Sequence, residues 1–294
     1  MERSLGNYHP IVSFTYFFIV IGMSMLYMHP VFVGISFISS ISYSYILNKK
    51  RTNQMLKFTM VMALSITIVN GLFVNRGLTV LFYFRNNPIT LESISYGLTS
   101  GIMMASVVIW FSCYNEIITS DKFLYIFSKI LPSISLMINM TIRLMPRLIE
   151  QTKIIANTQK TVGLDYSEGT IKMKIKSSMR ILSILVTWAL EDAVQTADSM
   201  KARGYGIKGR SNFSIYRFIK RDIIMISIIA TIGVFLFMGY IYGYGKLLFY
   251  PNIESISLDG LSIVLYLSFF IITILPTLME IVEAYKWKYS EWTD

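Results

Sequence analysis

The chain has 294 residues, of which 54% are hydrophobic, 14% aromatic and only 15% charged, with one cysteine and a formal net charge of +10. Soluble domains carry about a quarter charged residues, so an ordinary soluble domain is excluded, and the lone Cys113 excludes an internal disulfide or a cysteine-based metal cluster. Several apolar runs approach the roughly 20 residues needed to cross a bilayer, and the chain reads as an integral membrane protein.

The first apolar run, 11–28, follows Arg3 but ends in Tyr27-Met28-His29-Pro30 rather than in the small residues of a cleavage site. A retained transmembrane helix is expected there. The second run, 32–47, ends in Asn48-Lys49-Lys50-Arg51. With Lys57, that cluster marks the cytoplasmic side, where Lys and Arg collect. A third span, 58–74, leads out, and 75–96 is expected outside, with Arg76, Arg85 and the turn signal Asn86-Asn87-Pro88. A fourth span, 97–117, returns.

Residues 119–221 form a basic block holding 17 Lys and Arg against 7 Asp and Glu, whereas the rest of the chain holds 10 of each. Nucleic acid is one reading of such a block. The inward bias of positive charge in membrane proteins accounts for it without that partner, and no nucleic acid is expected. Two further spans, 223–242 and 261–279, enclose an outside loop with Lys246 and the Pro251-Asn252 turn, and the tail carrying Lys286 and Lys288 lies inside. Only Arg76, Arg85 and Lys246 of the 27 basic residues then face out, so both termini are expected in the cytoplasm.

The basic block is helical by pattern. Asp121 can cap a short helix ending near Leu131-Pro132. A second helix, 133–162, carries Ile138, Ile142, Met145, Ile149, Thr152 and Ala156 at steps of 3 and 4, which is one helix face. Pro146 removes the hydrogen bond to the Ile142 carbonyl and predicts a kink, and Gly163 predicts the stop. After a polar linker, 165–169, a third helix over 170–203 shows Ile175, Leu182, Val186, Ala189, Ala193, Ala197 and Met200 on one side. It would be roughly 50 Å long. Yet Lys172, Lys174, Lys176, Arg180, Glu191, Asp192 and Lys201 forbid a span, so it lies along the membrane surface or against its neighbour.

Chemical motifs are few. Gly204-Tyr205-Gly206-Ile207-Lys208-Gly209 fits the dinucleotide pattern, which needs a strand before it and a helix after it. Here it follows a long helix, and Gly204 is better explained as a helix stop that tolerates the left-handed conformation. Gly245-Lys246 lacks the Ser or Thr of a phosphate loop, because Leu247 follows. His9 and His29 each precede a proline and are not spaced as metal ligands. Gly239 and Gly243 point at most to close helix packing, and Glu116 and Glu280 fall near span ends. No nucleophile–base arrangement is present, so no catalytic, cofactor or metal site is expected, and no enzyme. Arg203 has two readings: a partner for the helix dipole, or a guanidinium fork offered to an acidic or carbonyl-lined groove in another protein.

The run Ala197-Asp198-Ser199-Met200-Lys201-Ala202-Arg203-Gly204-Tyr205-Gly206 resembles the coupling motif of the transmembrane T component of energy-coupling factor (ECF) transporters, the CbiQ-like group of ABC importers. Arg143-Leu144-Met145-Pro146-Arg147-Leu148, Asn87-Pro88-Ile89-Thr90 and Trp110-Phe111-Ser112 are similar to further family positions. The resemblance implies an all-α integral membrane protein with about six transmembrane helices and a cytoplasmic coupling region of one short and two long amphipathic helices. The expected division is 1–118, 119–221 and 222–294.

It further implies a non-catalytic coupling subunit in the plasma membrane of a prokaryote, surrounded by lipid and working with two ATP-binding subunits and a substrate-binding S component. Vitamins or transition-metal ions such as cobalt and nickel are the implied cargo. Ala202-Arg203-Gly204 would dock one ATPase. The second motif falls on Lys160-Thr161-Val162-Gly163, where Val162 stands in place of the arginine and Lys160 supplies a point charge beside it. That difference is compatible with two non-identical ATPases. Ile138, Ile142, Leu182, Val186, Ala189 and Ala193 are the implied contacts with the S component. The alternative is a self-sufficient carrier or channel without ATPases, which would show polar spans or repeated halves with broken helices; no repeat is visible.

Overall fold

The computed structural model describes residues 4–74, 77–84, 87–128, 131–163, 170–205, 216–254 and 259–290. Arg3, Arg76, Arg85, Asn86, the expected linker 165–169 and residues 206–209 of the glycine-rich run lie outside them. The chain forms two compact units, Met1–Phe123 with Tyr216–Asp294, and Leu124–Ile215.

In the first unit a 3-10 turn, Ser4–Asn7, precedes helices α1 (Pro10–Leu26), α2 (Pro30–Leu47), α3 (Lys49–Phe73) and α4 (Leu91–Ile117). Helices α1 and α2 begin alike. Each opens on a proline, whose missing N–H would be unsatisfied in a first turn anyway. In each, the preceding histidine caps the turn: His9 Nδ1 accepts from the Ile11 N–H and His29 Nδ1 from the Val31 N–H, both at 3.3 Å. Burial pushes the His29 imidazole below its usual pKa, and accepting from the Val31 N–H requires that its Nδ1 carry no proton. The two histidines are therefore caps.

The short helix α5 (Ser120–Ser128) follows α4, and the unit resumes with α8 (Lys220–Ile241) and α9 (Gly260–Ser290). Asp121 lies in the first turn of α5 rather than at its cap. Helix α9 runs through Pro276 and beyond residue 279, where the last span was expected to end. Among the described residues, five helices, α2, α3, α4, α8 and α9, are long and apolar enough to cross a membrane. The sixth expected span, α1, is apolar as well but has 17 residues. At about 1.5 Å per residue that is roughly 25 Å, short of a hydrocarbon core of about 30 Å. It stops at Leu26 because Tyr27 leaves helical geometry, with φ −85° and ψ 89°, ahead of Pro30.

The core of this unit gathers α1, α2, α4, α8 and α9 around the wholly buried Trp110. Lipid is as apolar as leucine, so packing and hydrogen bonds rather than water exclusion must join these helices. The inward faces supply both. Tyr16 donates to the Ile272 carbonyl at 3.1 Å and Tyr27 to the Leu236 carbonyl at 2.6 Å. Ser39 donates to Thr273 at 3.1 Å, and the Ser24 and Ser36 hydroxyls lie 2.8 Å apart. Helix α3 is largely exposed and lies along α4, where Gly97 and Gly101 meet the backbone of Thr67 and Ala63.

Between α3 and α4, in the segment read from the sequence only by its turn signal, β1 (Val80–Phe84) pairs antiparallel with β2 (Asn87–Thr90). The run Val80-Leu81-Phe82-Tyr83-Phe84 is rich in the aromatic residues that favour strands. The Glu92 carboxylate fastens the hairpin to α4 by accepting from the Thr79 N–H at 3.1 Å and the Thr79 hydroxyl at 2.5 Å.

The second unit is built on two long helices, α6 (Pro132–Thr161) and α7 (Ile171–Ala202), which pack on each other. Helix α6 continues unbroken through Pro146. At 32 residues α7 is roughly 48 Å long.

Candidate functional site

The ends of α6 and α7 have the same backbone geometry. Val162 closes α6 with φ −86° and ψ 5°, and Arg203 closes α7 with φ −81° and ψ 6°. Each is followed by a glycine in the left-handed region, Gly163 at φ 82° and Gly204 at φ 78°. A Cβ at Gly163 would meet nothing within 4 Å, so the backbone angle rather than space demands glycine there. The Gly204 N–H bonds to the Lys201 carbonyl and the Tyr205 N–H to the Met200 carbonyl, both at 3.0 Å. That is the paired pattern of a Schellman stop. At α6 the Gly163 N–H makes the matching bond to Lys160, also at 3.0 Å.

The expected docking residues thus form two exposed helix tips, Lys160-Thr161-Val162-Gly163 and Ala202-Arg203-Gly204, with Gly204 half-buried. Arg203 presents a guanidinium at the negative end of a helix dipole. Val162 holds the equivalent cap position, and its side chain, 69% exposed, offers only methyl groups.

The apolar stripes read from the sequence face outward. Ile138, Ile142, Met145 and Ile149 on α6 are exposed, as are Ile175, Leu182, Val186 and Ala193 on α7, while Ala189 is half-buried. The packed faces lie to one side. On α7 they include Ile181, Leu185, Trp188 and Asp192, at steps of 4, 3 and 4, and on α6 the buried Ile155. Among the described residues, pairing of α6 with α7 therefore leaves most of the longer apolar stripe of each helix exposed, with Thr152, Ala156, Ala189 and Met200 half-buried.

One link across this pair was missed in the sequence. The Arg147 guanidinium, one residue after Pro146, lies 2.6 Å from the Asp192 carboxylate and 5.2 Å over the Trp188 ring. Asp192 is 14% exposed and Arg147 59%. Residues 45 apart announce no pairing by spacing, although the 4-3-4 steps from Ile181 place Asp192 on the packed face. Solvent at Arg147 limits the pair to about 1 kcal/mol. Asp192→Ala should loosen α6 from α7 by about that amount. In a double-mutant cycle on thermal unfolding with Arg147→Ala, the two losses should not add; strictly additive losses would mean the contact contributes nothing.

Together, a bundle of apolar helices and a second unit of two long helices ending in exposed tips define a multi-pass helical membrane protein. No family model matches the chain. The energy-coupling factor transporter transmembrane protein EcfT of Streptococcus equi subsp. equi is 28% identical over 216 residues, covering 68% of this chain and 76% of that protein. The proteins of the same name in Streptococcus thermophilus and Listeria monocytogenes are 36% and 28% identical, over 117 and 184 residues. These matches span 44% and 68% of the two relatives' own lengths, and 40% and 57% of this chain. The chain is a homologue of proteins named energy-coupling factor transporter transmembrane protein EcfT.

Proposed function

We propose that the chain is the coupling subunit of an ECF-type importer, passing the movement of two ATP-binding subunits to a substrate-binding S component that carries a vitamin or a transition-metal ion. The observation that carries this reading is the pair of like-built, exposed helix tips closing α6 and α7. In this scheme Arg203 enters a groove of one ATPase, and the Lys160–Gly163 tip meets the other. The exposed stripe with Ile138, Ile142, Leu182 and Val186, together with Ala189 and Ala193, receives the S component. ATP is hydrolysed in the partners, and this chain has no catalytic role. The bundle lies in the plasma membrane with both termini and the second unit on the cytoplasmic side, in keeping with the basic charge of 119–221.

Affinity purification of the tagged chain from detergent-solubilised membranes tests the reading. Two ATP-binding subunits should co-purify with the native chain, and Arg203→Ala should lower their recovery by roughly tenfold or more, as expected when a charged anchor is truncated in a docking groove. Absence of any ATPase from the native preparation would sink the coupling role and favour a self-sufficient carrier. Equal recovery with both forms would remove Arg203 as the contact.

A further inference from the structure

The chain leaves the first unit at Phe123 and re-enters it at Tyr216. Both places are fastened to the same few N-terminal residues. Just before the exit, the Lys122 ammonium donates to the Gly6 carbonyl at 2.8 Å and to the Ile117 carbonyl at 3.3 Å. Just after re-entry, Arg221 donates to the next carbonyl, that of Asn7, at 3.1 Å, with its guanidinium carbon 4.2 Å from the centre of the Tyr8 ring. The Phe218 ring stacks on His9 at 3.7 Å, and Tyr216 meets His9 edge-on at 6.4 Å.

The N-terminal residues are themselves held. Leu5 is buried, and the Ser13 hydroxyl of α1 donates to its carbonyl at 2.9 Å. The Ser4–Asn7 turn packs on α1 and α9. Arg221 is equally fixed, because the neighbouring buried Asp222 accepts from the Ile219 N–H at 3.1 Å and starts α8. Carbonyls of a single 3-10 turn lack the partners a longer helix would give them, so they need outside donors. Here two consecutive carbonyls take theirs from cations 99 positions apart in sequence, one on each side of the inserted unit.

We infer that the Ser4–Asn7 turn, gripped by Lys122 and Arg221, is the anchor through which both chain connections of the second unit act on α1 and α9. This rests on the coupling role proposed above. With the anchor made, a displacement arriving along residues 118–123 or 216–221 moves a turn seated on two helices of the bundle. Without it, the connecting backbone rotates and absorbs the displacement. Lys122 and Arg221 are positioning residues.

Hydrogen exchange followed by mass spectrometry tests this on the tagged chain purified with its ATPases, with and without a non-hydrolysable ATP analogue, comparing native protein with Lys122→Met/Arg221→Met. In the native complex the nucleotide should alter exchange at the ends of α6 and α7 and also in residues 4–9 and in α9. In the double variant the change at the helix ends should persist, while that in residues 4–9 and α9 should fall roughly fivefold, as when charged hydrogen bonds are lost. Equal nucleotide responses in the two forms would overturn the anchor. If nucleotide alters nothing in the native protein, the coupling role fails instead. The anchor is then judged on basal exchange, which should rise roughly tenfold across 4–9, 118–123 and 216–221 in the double variant; an unchanged rate there would also overturn it. Lys122→Arg should restore the response when paired with native Arg221, which general destabilisation would not do.

Discussion

Gly101→Val should detach α3 from the bundle. A Cβ at Gly101 would stand 2.7 Å from the Ala63 carbonyl oxygen and 3.1 Å from the Ala63 Cα, and one at Gly97 would stand 3.0 Å from the Thr67 Cα. These are backbone atoms of α3, so no side-chain rotation relieves the clash and the helices must move apart. Overpacking of this kind costs about 1–3 kcal/mol, and the branched valine falls at the upper end. Helix α3 is otherwise largely exposed, and its further polar ties lie at its start, from Arg51 to Glu116 of α4 at 3.1 Å and from Thr52 to Ser44 of α2 at 2.8 Å. Gly22 and Gly34 make the contrast, since a Cβ at either meets nothing within 4 Å. Gly22→Ala and Gly34→Ala should be neutral, or stabilising by up to about 1 kcal/mol through helix propensity. Unfolding by added SDS, read by circular dichroism, separates the cases. A Gly101→Val midpoint equal to the native one would show that α3 does not depend on this approach.

Trp110→Ala should be the most damaging single truncation in the bundle. The indole is completely buried and meets Tyr16 and Phe17 of α1 edge-on at 6.4 and 6.3 Å, with Tyr43 of α2 at 6.2 Å. Its Nε1–H donates at 3.1 Å to Ser36, whose hydroxyl also pairs with Ser24. Removing the ring leaves a cavity where three helices meet and strands a hydrogen bond, for a loss of about 3–5 kcal/mol. Trp110→Phe keeps most of the packing and should lose about 1–2 kcal/mol, the share of the N–H. The same SDS titration ranks the two. If Phe proved as damaging as Ala, the hydrogen bond rather than the packing would dominate; if Ala were harmless, Trp110 would not organise this core.

How far the sequence revealed these features depends on the range over which each signal acts. Apolar runs of spanning length, the charge block between them and the glycine stops of α6 and α7 are local signals, and all were legible. Gly204 was read as a left-handed stop and has φ 78°. The glycine pair noted in the sequence, Gly239 and Gly243, proves divided: Gly239 packs near Leu265, whereas Gly243 lies in the turn after α8 with φ 88° and an open Cβ position. The pair that does join helices, Gly97 and Gly101, has the same four-residue spacing and went unread, because spacing alone does not say which face meets a neighbour. The β1 strand was visible as an aromatic run, yet was passed over inside a segment judged only by its turn residues. The Arg147–Asp192 contact and the fastening of Gly6 and Asn7 join residues far apart in sequence, and their recognition needs the packed register of the helices. The hydroxyl pairs of the bundle were hidden for the same reason: Ser24, Ser36 and Ser39 are ordinary small residues of a span until their partners are placed opposite them.

Val162 and Arg203 close their helices with nearly superposable dihedral angles, and each is followed by a left-handed glycine. Outline and chemical character are thereby separated at the two tips. At the cap position the same turn of backbone carries two methyl groups at one end and a fixed positive charge at the other, and the residue before it differs as well, Thr161 against Ala202. An exchange at Val162 or Arg203 would alter that contrast and leave in place the left-handed glycine that makes the turn.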